Sequence, residues 1–424
     1  MNKKMTSIGV IGMGYVGLPL AIEFGKYYNV IAYDINKLRI KELKRGIDKT
    51  LEVAPSEFKL SKKTFFTNND NDLKNCNYFI VTIPTPINKS NKPDLSFIKK
   101  ATKTISKYLK LGDIVIYEST VYPGTTEEIC VPILEKFSGL KYNKEFFCGY
   151  SPERINPGDK KRNLTNIIKV VSGSNDNISN KINNLYKKII KAGTFKSKSI
   201  KVAEAAKVLE NTQRDLNIAL MNEMSIICSK LNISTSDVLE AAETKWNFVS
   251  YKPGLVGGHC VSVDPYYLTY KAEKLGYQPK IILSGRKLNN HMKFFVISKF
   301  IHNLKIKNIY KRNVKILLMG LTFKENCPDL RNSQSLLIYR ELVKKKLKVD
   351  IYDPWVDKKF CKKVLNISII NKIKKNNYDG ILITVKHNIF EKMNLEKIIS
   401  FCKKNYVIFD VKNVFNKNAK TINL

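Results

Sequence analysis

The stretch Ile8-Gly9-Val10-Ile11-Gly12-Met13-Gly14-Tyr15-Val16-Gly17, with Asp34 closing the next β-rich run, decides the fold. Ile8–Ile11 is a short β-branched run of the kind buried in a parallel sheet. Three glycines follow at the spacing Gly-x-Gly-x-x-Gly and open a helical segment. The first allows a tight turn, the second lets the backbone approach a pyrophosphate, and the third lets helix and strand pack closely. The helix N-terminus adds N–H donors and partial positive charge. An ordinary strand–helix turn could carry the same glycines. Asp34 lies about 20 residues further on, where an acid binds an adenosine ribose 2′-OH, and the combination predicts a dinucleotide site. A carboxylate there favours NAD over NADP, because a 2′-phosphate would face like charge.

Working outward, Val30–Asp34, Tyr78–Ile83 and Asp113–Glu118 read as further buried parallel strands, with Phe146–Tyr150 and Ile167–Ser172 extending the sheet. Strands alternating with amphipathic helices imply a doubly wound α/β sheet. Ile200–Leu231 has no Pro or Gly and reads as one long helix, of a length that joins domains or forms a subunit interface. A shorter helix near Thr235–Thr244 follows. Then come the Gly-rich loop Pro253–Cys260 and a helical region from Tyr266 to Leu304. From Asn313 a second, smaller α/β unit begins. Its strands are Val314–Met319, Val349–Tyr352, Tyr378–Thr384 and Tyr406–Asp410, and its helix is Ser333–Lys345. The expected organisation is a dinucleotide-binding domain over 1–199, a central helical and catalytic-loop region over 200–312, and a second α/β domain over 313–424.

The net charge of +37 raises the question of nucleic acid. The lysines are spread along the whole chain, with no basic arm and no aromatic-interleaved stripe, so no nucleic-acid partner is expected. No apolar run approaches the ~18–20 residues of a membrane span, and the N-terminus runs straight into a strand pattern without a leader-like apolar segment. A cytoplasmic protein without membrane insertion is expected. The eight cysteines show no CxxC pairing and no zinc-type spacing, so no metal is expected. Cys260 differs from the others in sitting on a glycine-rich turn.

Val81-Thr82-Ile83-Pro84-Thr85-Pro86 and Glu118–Thr126 both end parallel strands, at the edge where open α/β sheets bind ligands. These loops, the glycine opening, Ser151-Pro152-Glu153-Arg154, Gly257-Gly258-His259-Cys260 with Asp264 four residues on, and Phe323-Lys324 followed by Asp329-Leu330-Arg331 occur in one order. In this the chain resembles the UDP-glucose/GDP-mannose dehydrogenase family over nearly its whole length. Ser151–Gly158 and Glu210–Asp215 look most like the UDP-N-acetylglucosamine and UDP-N-acetylgalactosamine 6-dehydrogenases of Vi-type capsule and O-antigen pathways. The resemblance implies an N-terminal Rossmann domain for NAD, a central long-helix dimerisation region, and a C-terminal Rossmann-like domain for the UDP-sugar. A homodimer or higher homo-oligomer follows from it. So does four-electron oxidation of a sugar C6 hydroxyl to a carboxylate.

That oxidation removes two hydrides from one carbon, and a thiolate can hold the aldehyde between them as a thiohemiacetal that then becomes a thioester. Cys260 suits the nucleophile's role because glycines leave it little steric cover. His259 beside it is not expected to form a dyad, since adjacent side chains in an extended loop usually point apart. Lys207 and Asn211 are four apart on the long helix and share a face. The resemblance assigns both to the active site, where an ammonium and an amide favour thiolate and oxyanion. It gives Asp264 a part in proton removal from the C6 hydroxyl, Glu153 the activation of the hydrolytic water, and Thr120 a place near the nicotinamide or that water. Cofactor contacts are expected at Gly12, Gly14, Tyr15, Val16, Gly17, Asp34, Arg39, Pro84, Thr85, Thr120 and Arg331. Substrate contacts are expected at Glu153, Arg154, Lys207, Asn211, Gly257, Gly258, Phe323 and Lys324.

Two positions depart from the UDP-glucose members. Pro157 stands where they often carry a second acid, and Lys245-Trp246-Asn247-Phe248 occupies the region from which they supply an arginine to the neighbouring subunit. Arg154 and Asn156 bring donors suited to an acetamido carbonyl, and Pro157-Gly158 opens a turn. A UDP-N-acetylhexosamine is therefore the expected substrate, with UDP-glucose or GDP-mannose as the alternative under the same chemistry.

Overall fold

The computed structural model describes residues 6–155, 162–311, 313–415 and 420–424. Two compact units share the chain: residues 1–210 with 266–278, and residues 211–265 with 279–424.

The first unit is built on eight strands: β1 (Ser7–Ile11), β2 (Asn29–Tyr33), β3 (Thr64–Thr67), β4 (Tyr78–Val81), β5 (Ile114–Tyr117), β6 (Phe147–Tyr150), β7 (Lys169–Gly173) and β8 (Thr194–Lys196). Their order in the sheet is β3-β2-β1-β4-β5-β6-β7-β8. The order reverses beside β1, so the glycine turn after β1 and the Pro84-Thr85 loop after β4 face the same crevice. Alternate strand residues feed two cores. Val10, Ile80 and Ile116 enter one, and Ile11, Val81 and Val115 enter the other, which is why these strands read as continuous apolar runs.

The sheet is parallel from β3 to β6, but β7 runs antiparallel to β6. An apolar run does not encode strand direction. Direction here is set by the tertiary course of the chain between the two strands. The short edge strands β3 and β8 were not expected, because four- and three-residue runs fall below what periodicity resolves.

The second unit holds β9 (Lys315–Met319), β10 (Lys348–Tyr352), β11 (Tyr378–Ile383), β12 (Cys402–Asp410) and β13 (Ile422–Asn423), all parallel, in the order β10-β9-β11-β12-β13. Ile316 and Leu318 enter one core and Leu317 and Met319 the other. The expected helical region 266–304 is two helices, Asp264–Lys274 and Lys280–Ile306. Gly276 at φ +82° and Pro279 break it. The long helix Ile200–Leu231 is continuous. Among the described residues no helix is long and apolar enough to cross a membrane.

Candidate active site

In the first unit the glycine turn is shaped by close approach. Gly12 has φ +100°, and a Cβ on Gly17 would lie 1.8 Å from the Gly12 carbonyl oxygen, so neither position tolerates a side chain. Gly14 has open space around it, as a cradle for a diphosphate requires. Thr82 Oγ1 donates to the carbonyls of Ile11 and Gly12 at 3.0 and 2.8 Å and pins the turn to β4. Asp34 Oδ2 accepts from the Met13 N–H at 2.7 Å, so the acid at the end of β2 is aimed at the glycine turn. Arg39 donates from Nε to the Met13 carbonyl at 2.9 Å and from Nη2 to Asp48 at 2.8 Å. Burial works against the Asp48 carboxylate, but Thr50, Arg39 and backbone N–H donors outweigh it and hold it below the usual carboxylate range. Arg39 thus braces the turn from beneath. These residues fit a dinucleotide whose diphosphate lies over Gly14 and whose ribose meets Asp34.

Thr85 and Thr120 come together: Thr85 Oγ1 donates to the Thr120 carbonyl at 2.6 Å. Tyr267 OH donates to the Thr85 carbonyl at 2.8 Å, so the start of a later helix holds this loop in place. Glu204, buried on the long helix, accepts from the backbone N–H groups of Gly124 and Thr126 at 2.5 and 2.9 Å and from Thr126 Oγ1 at 2.7 Å. Burial pushes its carboxyl up to about 7. Glu204 was not foreseen, because a lone acid on a helix gives no sign of the loop it will cap.

Glu153 is buried, and its Oε1 accepts from the N–H groups of Arg154 and Ile155, both at 2.6 Å. Its Oε2 accepts from Lys169 Nζ at 3.0 Å. Arg154 reaches Glu210 at 2.9 Å and the Ile168 carbonyl at 3.0 Å, tying the Glu153 loop to the long helix. Asn156, Pro157 and Gly158 lie outside the described residues.

In the second unit, Cys260 is the one cysteine of the eight that is not buried. Two constraints form its loop. Gly258 has φ +87°, and a Cβ there would stand 2.7 Å from the Phe323 ring, while one on Gly257 would stand 2.7 Å from the Asn332 carbonyl oxygen. The Gly258 carbonyl accepts from Asn332 Nδ2 at 2.9 Å and Ser262 Oγ at 2.7 Å. Phe323 and Asn332 bracket the Lys324–Arg331 segment, so the loop carrying the thiol and the loop carrying the expected cations are packed together. Asp264 N–H donates to the Cys260 carbonyl at 2.8 Å and starts the next helix. Its buried carboxylate accepts from Asn211 Nδ2 at 2.5 Å. Lys207, one turn before Asn211, is also buried.

His259 packs toward Phe323 and the Asp329–Arg331 segment. Its ring meets Phe323 edge-on, and Nδ1 lies 3.4 Å from Arg331 Nη2 and 3.8 Å from Asp329. Arg331 forks onto Asp329, with Nε at 2.9 Å and Nη2 at 2.5 Å from Oδ2. Asn222, unforeseen, binds both backbone groups of Gly254 at 3.0 and 2.7 Å. Asn289 joins it to Asp215, which pairs with Arg286 at 2.6 Å. This buried chain anchors the start of the glycine-rich loop. Lys412, also unforeseen, points its ammonium at Gly254, and burial pushes its pKa down.

Three family models match in chain order. They are the NAD binding domain, the central domain and the UDP binding domain of the UDP-glucose/GDP-mannose dehydrogenase family, over residues 6–190, 201–291 and 317–417. The chain is 52% identical to a UDP-N-acetyl-D-glucosamine 6-dehydrogenase of Pseudomonas aeruginosa, covering 99% of this chain and 100% of that one. It is 51% identical to the Salmonella typhi enzyme of the same name, covering 98% of each. Among solved structures, a UDP-D-ManNAc dehydrogenase from Pyrococcus horikoshii superposes with a TM-score of 0.89 at 30% identity, covering 99% and 98%. With its NAD-binding glycine turn, its half-buried loop cysteine and these full-length matches, the chain belongs to the UDP-glucose/GDP-mannose dehydrogenase family.

Proposed function

We propose that the protein oxidises the C6 hydroxyl of a UDP-N-acetylhexosamine to the uronic acid, for surface polysaccharide synthesis. The observation that carries this reading is the 257–264 loop: a half-buried cysteine on a turn folded by Gly257 and Gly258, with Asp264 bonded to Asn211 one turn after it. The Pseudomonas and Salmonella relatives supply the substrate class by their names. Bound NAD supplies the hydride acceptor for each oxidation.

Asp264, oriented by Asn211, takes part in removing the C6 hydroxyl proton as the first hydride leaves. The Cys260 sulfur then adds to the aldehyde carbon, and the Lys207 ammonium and Asn211 amide stabilise the oxygen charge. Loss of a second hydride and the hydroxyl proton leaves a thioester. A water oxygen attacks the acyl carbon while Glu153 takes its proton. The C–S bond breaks, its electron pair goes to Cys260 sulfur, and the carboxylate product forms. Thr120 serves near the nicotinamide or this water. Phe323, Lys324, Arg154, Gly257 and Gly258 serve the substrate. Arg331 serves the cofactor phosphates as a cation, oriented by Asp329.

In this reading residues 1–199 hold NAD, 200–312 carry the thiol and the subunit contact, and 313–424 hold the UDP. Leu220, Ile227 and Leu231 are exposed on one face of the long helix, which supports a homodimer. Eight free cysteines fit a reducing cytoplasm. The test is NADH release with UDP-N-acetylglucosamine, UDP-N-acetylgalactosamine, UDP-glucose and GDP-mannose. An N-acetyl sugar should lead in kcat/KM with two NADH per sugar and no free aldehyde. A higher kcat/KM for UDP-glucose would overturn the N-acetyl assignment and leave the dehydrogenase.

A further inference from the structure

Lys169 opens β7 and is 2% exposed. Lysine is almost never fully buried without a charged partner, so its burial asks what the ammonium serves. Nζ lies 2.8 Å from Glu118 Oε2 and 3.0 Å from Glu153 Oε2. The other Glu118 oxygen accepts from Tyr186 OH, and the ammonium sits over the Tyr186 ring at 5.6 Å from its centroid. The four side chains come from the end of β5, the loop after β6, β7, and the helix Asp176–Lys187. Glu118 stands two residues before Thr120. Lys169 therefore bridges the strand end leading to Thr120 and the loop carrying Glu153.

We propose that Lys169 is a positioning residue for the hydrolytic half-reaction, holding the Glu153 carboxylate in one orientation so that it can take the proton of the attacking water. This rests on the proposed role of Glu153 as that base. The geometry supports it in two ways. Glu153 Oε1 already takes two backbone N–H bonds, so Lys169 on Oε2 removes the last rotational freedom of the carboxylate. Among the described residues Lys169 is also the one cation bonded to either carboxylate in the cluster, and Glu118 shares it. Burial disfavours the ammonium, but the two carboxylates outweigh it and push its pKa up, so the charge persists through the working pH range. Removing it would leave two carboxylates in a dry site without their shared counter-charge.

The test compares K169M, K169R, the charge-balanced K169M/E118Q and E153Q, each mixed with NAD and UDP-N-acetylglucosamine. K169M should keep a rapid burst of two NADH per subunit, then turn over slowly, with the acyl adduct on Cys260 visible by intact mass. The steady rate should fall roughly tenfold or more, as expected when a general base is compromised. The acid limb of kcat should move to higher pH, because a base without its cation binds a proton more tightly. K169R should restore both burst ratio and acid limb. If K169M does not fold, K169M/E118Q removes one of the two buried carboxylates that lose their cation, keeps the net charge of the cluster, and should show the same slow deacylation. A normal steady rate with an unmoved acid limb would overturn the proposal. So would burst and steady phases lost together. E153Q separates the two claims. If E153Q accumulates acyl-enzyme and the Lys169 variants do not, the inference on Lys169 fails alone. If E153Q deacylates normally, the role of Glu153 itself is wrong.

Discussion

In the proposed reaction Cys260 is the residue on which the chemistry turns. Replacing it with Ala should leave NAD binding intact, measured by quenching of protein fluorescence, and abolish uronic acid formation. Normal acid yield from that variant would exclude the covalent route. Asp34 is legible in the sequence by its place at the end of β2, and the structure adds that its carboxylate also accepts the Met13 N–H. Asp34→Ser should lower the kcat/KM preference for NAD over NADP by about tenfold or more, since a charged hydrogen bond to the ribose is worth roughly 2 kcal/mol. An unchanged ratio would move cofactor selection elsewhere. Gly257 and Gly258 were legible as a motif, but the reason for them was not. Their missing side chains make room for Asn332 and Phe323, more than 60 residues away.

At the scale of elements, the long helix holds the turn at Gly124–Thr126 through a buried acid. Glu204 caps the turn at Gly124 and Thr126, and its folded carboxyl titrates at about 7 against an ordinary 4.5. A folded pKa above the unfolded one means the native state holds the proton more tightly. The contribution of Glu204 to stability is thus fully present below about 4.5 and is lost as pH rises to 7. The limit is about 3 kcal/mol between fully protonated and fully ionised forms. Glu204→Gln should flatten the fall in Tm between those pH values in a thermal scan. An identical slope in both proteins would show that the group does not titrate there. The sequence revealed this helix by its length and lack of Gly or Pro, whereas the capped turn depends on where the helix lies in the fold.

At the scale of the whole molecule, Leu220, Ile227 and Leu231 form an exposed stripe on the long helix. Leu220→Glu should halve the mass measured by light scattering, because a carboxylate in an apolar contact is left without a partner. A mass that does not change would place the subunit contact elsewhere. The two sheets, by contrast, were plain from the sequence. Their β-branched runs and glycine turns are short-range patterns set by backbone geometry.

The sequence by itself determined the α/β class, the dinucleotide turn with its acid, the long helix and the reactive loop. Each depends on residues within about 20 positions of one another, where periodicity and steric rules operate. Tertiary structure decided the rest. It ran β7 antiparallel to β6, joined Thr85 to Thr120, placed Asn211 on Asp264, and sealed Lys169 between Glu118, Glu153 and Tyr186. A charged residue inside the apolar run Ile167–Val171 signals burial, but its partners lie 16 and 51 residues away. A buried charge is tolerable only where the fold supplies its counter-charges, and that is decided by packing over distances no local pattern records.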